Sequence, residues 1–123
     1  MHSPLEAVHE YYKAFSTLDL SAIVSYFCEP SMTIAPQGLI AAGSRAALVE
    51  TLGPLVEGLR TKGYGWSEFV EPEVAMLGET AALVRGTAVR YAAAGPVMER
   101  ISIAYLMHRN EAGWKIAVLI VGG

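Results

Sequence analysis

Side chains that could act as acids, bases or nucleophiles are sparse in this sequence. Asp19 is its only aspartate and Cys28 its only cysteine. A catalytic cysteine needs a nearby base to lower its pKa, and no histidine lies close to Cys28 in the chain, so we interpret Cys28 as a buried apolar residue. Glu6 and His9 share a helix face, but no further ligands follow at a convincing spacing. We therefore expect no metal site and no bound cofactor.

Three polar side chains have the periodicity of residues that face an interior. Tyr11 lies in the apolar stripe of the first predicted helix, whereas Tyr105 and Glu99 have the inward parity of a predicted strand. A phenol can donate a hydrogen bond to a ligand carbonyl or hydroxyl, but it can equally bond to another core group. Tyr12 could replace Tyr11 as the inward residue, because neighbouring helical positions differ by only ~100°. Tyr11, Tyr105 and Glu99 are therefore the candidates for a catalytic role, which stays unassigned.

Charged residues on the predicted sheet have two interpretations. Arg85, Arg90 and Glu99 could reach the rim of a pocket as an ion pair or as a clamp for a carboxylate. Solvated positions on the strands are the more common outcome for such residues. Glu99 lies near the start of its strand, which favours the rim over the floor of a pocket.

Length and composition predict one soluble domain. The chain has 123 residues, of which 53% are apolar and 17% charged, and this surplus of apolar residues indicates a subunit interface, an apolar cavity, or both. The net charge of −3 comes from scattered residues, so we expect neither a nucleic-acid-binding surface nor a membrane-binding stripe. The N-terminus lacks the regions of a signal peptide and the single cysteine precludes an internal disulfide, so we expect a cytoplasmic protein.

Capping residues and apolar spacing predict three helices. The first begins at Ser3 with Pro4 in its first turn and Glu6 completing a capping box. A second, short helix begins at Asp19 and should end before Pro30. A third follows Ser44, and a kink or a break is expected at residues 53–54, where Gly-Pro interrupts the pattern. Its predicted inward residues are Leu48, Leu52, Leu55 and Leu59.

The remaining segments predict strands. Residues 31–35 form a short candidate, and four further strands are expected at residues 66–77, 81–91, 97–107 and 114–121. Pro72 marks an edge position or a bulge, and residues 110–113 have the pattern of a four-residue hairpin loop. Helices that precede an antiparallel meander imply an α+β fold with the helices on one side of the sheet.

Alternation in the last two predicted strands indicates which side chains face the core and which face outward. In the predicted strand at residues 97–107, one face is expected to face the core. Its apolar residues are Val97, Ile101, Ile103, Tyr105 and Met107. The final strand is apolar on both faces, with Trp114, Ile116, Val118 and Ile120 opposite Ala117, Leu119 and Val121. Such a strand needs a cover on each side. We expect a second copy of the chain there, giving a homodimer through the outer sheet face; the alternative is that these residues are simply exposed.

Two segments resemble a known superfamily. Residues 19–27 read Asp-Leu-Ser-Ala-Ile-Val-Ser-Tyr-Phe and run through Glu29 to Pro36-Gln37-Gly38, and the hairpin loop at 110–113 is followed by Trp-Lys-Ile. Together with the element order, they resemble the NTF2-like superfamily, especially its ketosteroid isomerase and SnoaL-like branches. The resemblance implies a cone of three N-terminal helices packed on a curved antiparallel sheet, as a single domain over residues 1–123.

The resemblance also carries the isomerase site onto particular positions. The general-base aspartate falls on Ala35, which cannot accept a proton, so isomerisation by that route is excluded. The oxyanion tyrosine falls on Tyr11, and the second donor, a protonated carboxylic acid, falls on Tyr105, whose phenol can donate similarly. An aromatic that carries a hydroxyl in some isomerases falls on Phe27. The resemblance therefore implies two donors without a base.

Two other chemistries of the superfamily are not favoured. The limonene epoxide hydrolase pattern needs an Asp-Arg-Asp constellation, and the chain has only one aspartate. Scytalone dehydratase-like and SnoaL-like sites depend on histidine or acidic residues inside the cone. Here His108 has the outward parity of its strand, while His2 and His9 lie before or on the first helix.

These observations support two functional hypotheses. In the first, the cone binds a small, largely apolar molecule; a reaction there would be a cofactor-free isomerisation, dehydration or cyclisation of a steroid- or polyketide-like substrate. In the second, the cavity is closed and the protein is a non-catalytic dimeric binding or assembly module. The residues expected around a ligand are Tyr11, Phe15, Phe27, Ala35, Leu55, Val89, Ile103, Tyr105, Met107 and Val118.

Overall fold

The structure, a computed structural model, describes residues 3–122, which form three helices and six strands. The elements are α1 (Pro4–Ser16), α2 (Leu20–Val24), β1 (Phe27–Ala35), β2 (Gly38–Ala42), α3 (Arg45–Thr61), β3 (Tyr64–Met76), β4 (Ala81–Ala92), β5 (Val97–Asn110) and β6 (Gly113–Val121). One curved sheet has the order β2-β1-β6-β5-β4-β3, and its neighbouring strands are antiparallel except for the parallel pair β1–β6. The predicted α+β fold, with helices packed on a sheet, is confirmed.

The three helices begin at the residues that the sequence predicts as caps. Ser3 Oγ accepts a hydrogen bond from the Glu6 N–H at 3.1 Å, and the Ser3 N–H donates to Glu6 Oε1 at 3.0 Å. This reciprocal pair is the predicted capping box. Asp19 and Ser44 likewise accept bonds from N–H groups in the first turns of α2 and α3. The caps fix where each helix starts and therefore which of its side chains face the sheet.

Helix α3 continues through Gly53 and Pro54, so of the two alternatives predicted there, a kink or a break, the break is wrong. Its buried residues lie on both sides of the proline, and their packing holds the helix together although the ring removes one backbone bond. Leu55, predicted to face inward, is 37% exposed, and Val56 is buried in its place. The buried face follows one stripe at spacings of three and four residues: Leu48, Leu52, Val56 and Leu59.

The β1–β2 hairpin differs from the sequence prediction at both ends. Helix α2 ends at Val24 and β1 begins at Phe27, so Pro30 lies inside a strand and does not end a helix. The pairing of Phe27 with Ile116 of β6 explains this early start, because sheet hydrogen bonds begin there. Strand β2 was not predicted, because its consecutive apolar residues show no alternation.

A bulge in β6 decides which of its residues face the helices. Ala117 is unpaired between Ile116, which pairs with Met107, and Val118, which pairs with Leu106. One extra residue reverses the alternation of the strand beyond it. Val118, predicted to line the pocket, therefore faces outward, and this expectation is wrong. The residues of β6 that pack in or against the core are Trp114, Ile116, Leu119 and Val121.

A second bulge acts in the same way at the start of β5. Arg90 pairs with Glu99 and Tyr91 pairs with Val97, which leaves Met98 unpaired. Val97, predicted to face the core, is consequently 47% exposed, whereas Met98 packs against the core. The rest of the predicted inner face of β5 is confirmed: Ile101, Ile103, Tyr105 and Met107.

Val89 also lies on the outer face of the sheet, so its expected place in the pocket is wrong. It pairs with Glu68 and Arg100, whereas the adjacent residue Ala88 pairs with Phe69 in the core. Since paired residues project to the same side of a sheet, Val89 points away from the helices. It is only 1% exposed, but it does not belong to the core cluster.

The outer face of the sheet carries a group of apolar side chains, although the bulge in β6 makes Val118 and Ile120 its members in place of the residues that the alternation predicts. Leu39 at the sheet edge is 68% exposed and Met32 is 36% exposed, while the others are partly exposed. No element among residues 3–122 covers this face. We call this group the outer patch, defined as Met32, Ile34, Leu39, Leu106, Val118 and Ile120. Separately, none of the helices in the described part of the chain is long and apolar enough to cross a membrane.

Candidate functional site

A cavity of about 50 Å³ lies between α1, α3 and the inner face of the sheet. A space of this size holds a few water-sized groups. Five of the residues predicted for the site line it: Tyr11, Phe15, Leu55, Ile103 and Tyr105. Its other lining residues are Tyr12, Leu52, Ser67, Ala88, Arg90, Leu119 and Val121.

The other residues expected around a ligand do not line this cavity. Phe27 and Met107 are buried in the core, where the Phe27 ring packs edge-on against Tyr11 at a centroid distance of 5.6 Å. Ala35 lies at the end of β1, beside the turn into β2. Val89 and Val118 face outward, as described above. The sequence predicts the aromatic and β5 residues of the cavity, but it misses Leu119 and Val121, because the bulge at Ala117 was not foreseen.

The centre of the site is a cluster of buried tyrosines. Tyr105 Oη donates a hydrogen bond to Tyr12 Oη at 2.7 Å, so Tyr12 and not Tyr11 is bonded to Tyr105. Tyr11 packs edge-on against both rings, at centroid distances of 5.7 Å from Tyr12 and 5.8 Å from Tyr105. Edge-to-face packing of this kind fixes ring orientation. The cluster therefore holds three phenol rings in defined orientations in the wall of the cavity.

The Tyr11 hydroxyl differs from the other two. Tyr11 is only 4% exposed, and its hydroxyl makes no hydrogen bond within residues 3–122. Every side-chain nitrogen or oxygen sealed from solvent in that span has a partner, so the Tyr11 hydroxyl must reach open space. Because Tyr11 lines the cavity, that space is the cavity. The site therefore contains a hydroxyl donor that faces the cavity and that no group among residues 3–122 engages.

All three phenols are held in their neutral form. Burial raises the pKa of Tyr11, of Tyr12 and of Tyr105 well above the usual value of 10. The charge of Arg90 acts in the opposite direction on each pKa, but more weakly than burial. A neutral phenol donates a hydrogen bond but is no base near neutral pH. The cluster can orient or polarise a bound group, but it cannot abstract a proton.

Arg90 enters the site from β4 and forms an ion pair with Glu99 on β5. The Arg90 side chain is 14% exposed and that of Glu99 is 44% exposed, so the cation lies deeper than the anion. The guanidinium also lies 5.6 Å from the centroid of the Phe15 ring, in a cation–π contact. Arg90 and Glu99 thus form the rim ion pair considered from the sequence. Arg85 instead pairs with Glu73 on the outer face, at 2.9 Å.

A chain of hydroxyl groups fixes α1 against β3 beside the cavity. Ser16 Oγ donates to the Tyr12 carbonyl at 2.8 Å and accepts from the Ser67 N–H at 3.0 Å. The Ser67 hydroxyl is in turn hydrogen-bonded to Tyr64 Oη. Because Tyr12 lies on α1 and Ser67 faces the cavity, these bonds set the distance between the helix and the sheet at this wall. The site is therefore built on fixed elements and not on a loop.

Acid–base residues are missing from the cavity wall. No aspartate, glutamate or histidine is among its lining residues, and the part of the chain that the structure describes has no cluster of His, Cys, Asp or Glu suited to a metal. Burial raises the pKa of Cys28, which keeps its thiol protonated and unreactive. His9 packs against Phe69 in a groove outside the cavity, and His2 lies outside the described residues. The geometry supports binding more directly than proton transfer.

Comparison with known proteins identifies the family and the fold. Residues 5–123 match the family described as NTF2-like protein (DUF6841). None of the curated proteins compared with the chain is significantly similar to it in sequence. An NTF2-like protein of unknown function from Shewanella oneidensis MR-1 has a similar structure, with a TM-score of 0.77 and 19% identity over 97% of this chain and 95% of that one.

Two further solved structures have names that refer to chemistry. A ketosteroid isomerase-like protein from Erwinia carotovora atroseptica has a TM-score of 0.65 and 20% identity, covering 94% of this chain and 89% of that one. A proposed dehydratase of the NTF2-like family from Streptomyces avermitilis has a TM-score of 0.67 and 14% identity, with the same coverage. At these identities the similarity establishes the shared fold, and the chemistry of those proteins does not transfer with it.

Proposed function

Because the chain belongs to the NTF2-like family DUF6841, we propose that its cone binds one small, largely apolar molecule without transforming it by acid–base chemistry. The observation that carries this proposal is the Tyr11 hydroxyl, which is buried, neutral and unpartnered, and which reaches the cavity. Because no group among residues 3–122 accepts from this hydroxyl, it can donate to an acceptor group that enters the cavity.

The dimensions of the cavity favour a compact ligand. Its volume of about 50 Å³ is far below the several hundred Å³ that drug-sized ligands occupy. A steroid- or polyketide-like substrate would need α3 to move away from the sheet. Leu55, which lines the cavity and is 37% exposed, is available for contact with a ligand that extends beyond the cavity. Binding of a small molecule requires the least rearrangement.

The chemistry of the lining also favours binding over catalysis. The general-base position of the isomerases, Ala35, neither carries a base nor lines the cavity. Glu99 is engaged with Arg90 and is more exposed than its partner. Tyr11, Tyr12 and Tyr105 stay protonated. A reaction in this site would have to proceed through hydrogen-bond donation alone, so a reaction is the less supported alternative.

A homodimer through the outer patch is part of the same proposal. The patch leaves apolar side chains of β1, β2, β5 and β6 without a cover among residues 3–122. A second copy placed sheet against sheet would bury them on both chains. If the cavity stays closed in solution, this dimer would itself be the functional unit, as a binding or assembly module. We also place the protein in the cytoplasm, since its lone Cys28 is a free thiol.

Ligand-detected NMR with small alcohols, ketones and amides of up to about six carbons tests the binding proposal, and Tyr11→Phe is the decisive variant. This change keeps the ring and removes the donor, so it should weaken binding of an acceptor ligand about tenfold. Tyr91→Phe is the matched control, because the Tyr91 hydroxyl bonds to Glu68 on the outer face. Absence of binding by every probe to the folded protein would rule out the cavity as a site and favour the dimeric module.

A further inference from the structure

We propose that the ligand of the cone is a short-chain monocarboxylate whose carboxylate lies beside Arg90 and accepts hydrogen bonds from Tyr11 and Tyr12. This inference rests on the proposed binding function and adds the charge and the size of the ligand. Three features of the cavity support it: its unsatisfied hydroxyl donors, the sign of its charge and its dimensions.

Two hydroxyl donors in the cavity lack an acceptor. The Tyr11 hydroxyl has no partner among the residues that the structure describes. Tyr12 accepts the bond from Tyr105, so the hydrogen of Tyr12 is left for another acceptor, and residues 3–122 provide none. Bonding between Tyr105 and Tyr12 also polarises the Tyr12 O–H and strengthens it as a donor. A carboxylate has two acceptor oxygens and no donor, so it can engage both hydroxyls at once.

Arg90 is the one charged side chain among the described residues that line the cavity, and it is a cation. Glu99 compensates that charge from the more exposed side, with 44% of its side chain accessible against 14% for Arg90. The guanidinium has five N–H donors, and within the described chain the structure shows one hydrogen bond from it, to Glu99. Donors therefore remain on Arg90 for a second carboxylate.

The positive charge acts on the whole tyrosine cluster. Arg90 lowers the pKa of Tyr11, Tyr12 and Tyr105 against the larger effect of burial. Its electrostatic influence thus extends to the hydroxyls that would bind the ligand. An anion placed between Arg90 and the phenols would be stabilised from both sides, and charge-assisted hydrogen bonds of this kind are stronger than neutral ones.

Size and charge balance restrict the anion to a small monocarboxylate. A monocarboxylate would share Arg90 with the more exposed Glu99, whereas a dianion such as phosphate would bury one further charge without a partner. Much of the remaining lining is apolar and includes Leu52, Ile103 and Leu119, which suits a short hydrocarbon tail. A cavity of about 50 Å³ admits only a few heavy atoms. Butyrate is therefore a suitable probe, and butyramide is its neutral counterpart of nearly equal shape.

Calorimetric titration of the protein with butyrate and with butyramide at neutral pH separates the two proposals. We expect butyrate to bind about tenfold more tightly than butyramide, because hydrogen bonds to a charged group are stronger. Arg90→Gln should abolish this preference. Glu99→Gln should tighten butyrate binding several-fold and leave butyramide unchanged, because it removes the carboxylate that competes for Arg90. Arg85→Gln is the matched control, since Arg85 lies on the outer face, and it should alter neither affinity.

Each outcome has a distinct consequence. Equal binding of the two probes, or tighter binding of butyramide, would overturn the carboxylate and leave the binding cavity standing. Absence of binding by either probe to folded protein would overturn both proposals. Weaker butyrate binding in Glu99→Gln would also contradict the inference. If Arg90→Gln does not fold, Arg90→Lys provides the test: it keeps the charge, and we expect butyrate to stay preferred over butyramide by a reduced factor.

Discussion

Strands β5 and β6 have apolar residues on both faces, and the two faces differ in what covers them. The inner face packs against α1 and α3 and contains Tyr105 and Ile116, each 1% exposed. The outer face carries the outer patch. Its charged residues lie in solvent: Arg85 and Glu73 pair with each other, and each of these two side chains is more than 60% exposed. Apolar composition alone therefore does not distinguish core from surface in this sheet. The covering helices and the bulges do.

The polar groups of the two faces differ more sharply than the apolar ones. Inside, Tyr12 and Tyr105 form a buried hydrogen bond with each other, and burial raises the pKa of both phenols. Outside, Tyr91 bonds to Glu68 on an exposed surface. Solvent screens the second interaction and not the first. The inner face is thus where a few polar atoms can determine binding, and the outer face is suited to association.

The largest expected effect comes from truncating one residue on each face of β6. Ile116→Ala should lower the free energy of unfolding by about 2–5 kcal/mol, because it leaves a cavity in a packed core. Ile120→Ala, on the same strand and the opposite face, should cost about 1 kcal/mol or less. Urea denaturation at concentrations where all variants have the same oligomeric state measures both. Equal losses would contradict the assignment of faces that the bulge at Ala117 imposes.

The second prediction concerns association through the outer patch. Ile120→Glu should raise the dimer dissociation constant at least about a hundredfold, because it places an unpaired charge in an apolar interface. Sedimentation velocity or light scattering over a range of concentrations measures this constant. Ser21→Glu adds the same charge to an exposed position of α2 and should leave the constant unchanged. If the wild-type chain is monomeric at all accessible concentrations, or if Ile120→Glu still dimerises, the outer patch is not the interface.

Much of the inner face could be predicted from the sequence, for identifiable reasons. Ser3, Asp19 and Ser44 are good caps, and the helical stripe that follows Ser3 places Tyr11 towards the sheet. Strict alternation along most of β5 places Ile103 and Tyr105 on the same inner face. These are local signals, since each depends on residues a few positions apart, and the structure confirms them.

The remaining features depend on contacts between distant segments. Ala117 and Val118 are both apolar, so the sequence of β6 fits either face, and only its pairing with β5 shows that Ala117 is the extra residue. Arg90 resembles a solvated strand residue, and its depth follows from its contact with Phe15 and its pair with Glu99. The small volume of the cavity likewise depends on how α3 packs over the sheet, which no local pattern specifies.

The third prediction uses the raised pKa of the buried phenols. In the unfolded chain a tyrosine has a pKa of about 10, so above pH 10 the unfolded chain releases its phenolic protons while the folded chain keeps those of the buried tyrosines. The free energy of unfolding is therefore unaffected by these groups below pH 10 and falls as the pH rises above it. Each buried phenol should contribute about 1.4 kcal/mol per pH unit to this loss. Tyr11→Phe should reduce the slope by that amount between pH 10 and 12, measured by denaturation at each pH. Tyr91→Phe should reduce it less, because solvent screens that exposed group; an equal reduction would mean that the two faces do not differ electrostatically.

The smallest effect is the coupling between Tyr12 and Tyr105, and it tests the difference between the faces most directly. Tyr105→Phe removes the donor to Tyr12 Oη, and Tyr12→Phe removes the acceptor, with little change in ring packing. A double-mutant cycle should give a coupling energy of about 1 kcal/mol, because a buried hydrogen bond is lost in each single variant. The same cycle with Tyr91→Phe and Glu68→Ala on the outer face should give a smaller coupling energy, since water replaces that bond. A larger coupling outside than inside would show that the buried tyrosines are held by ring packing alone, and that their hydroxyls are free to rearrange around a ligand.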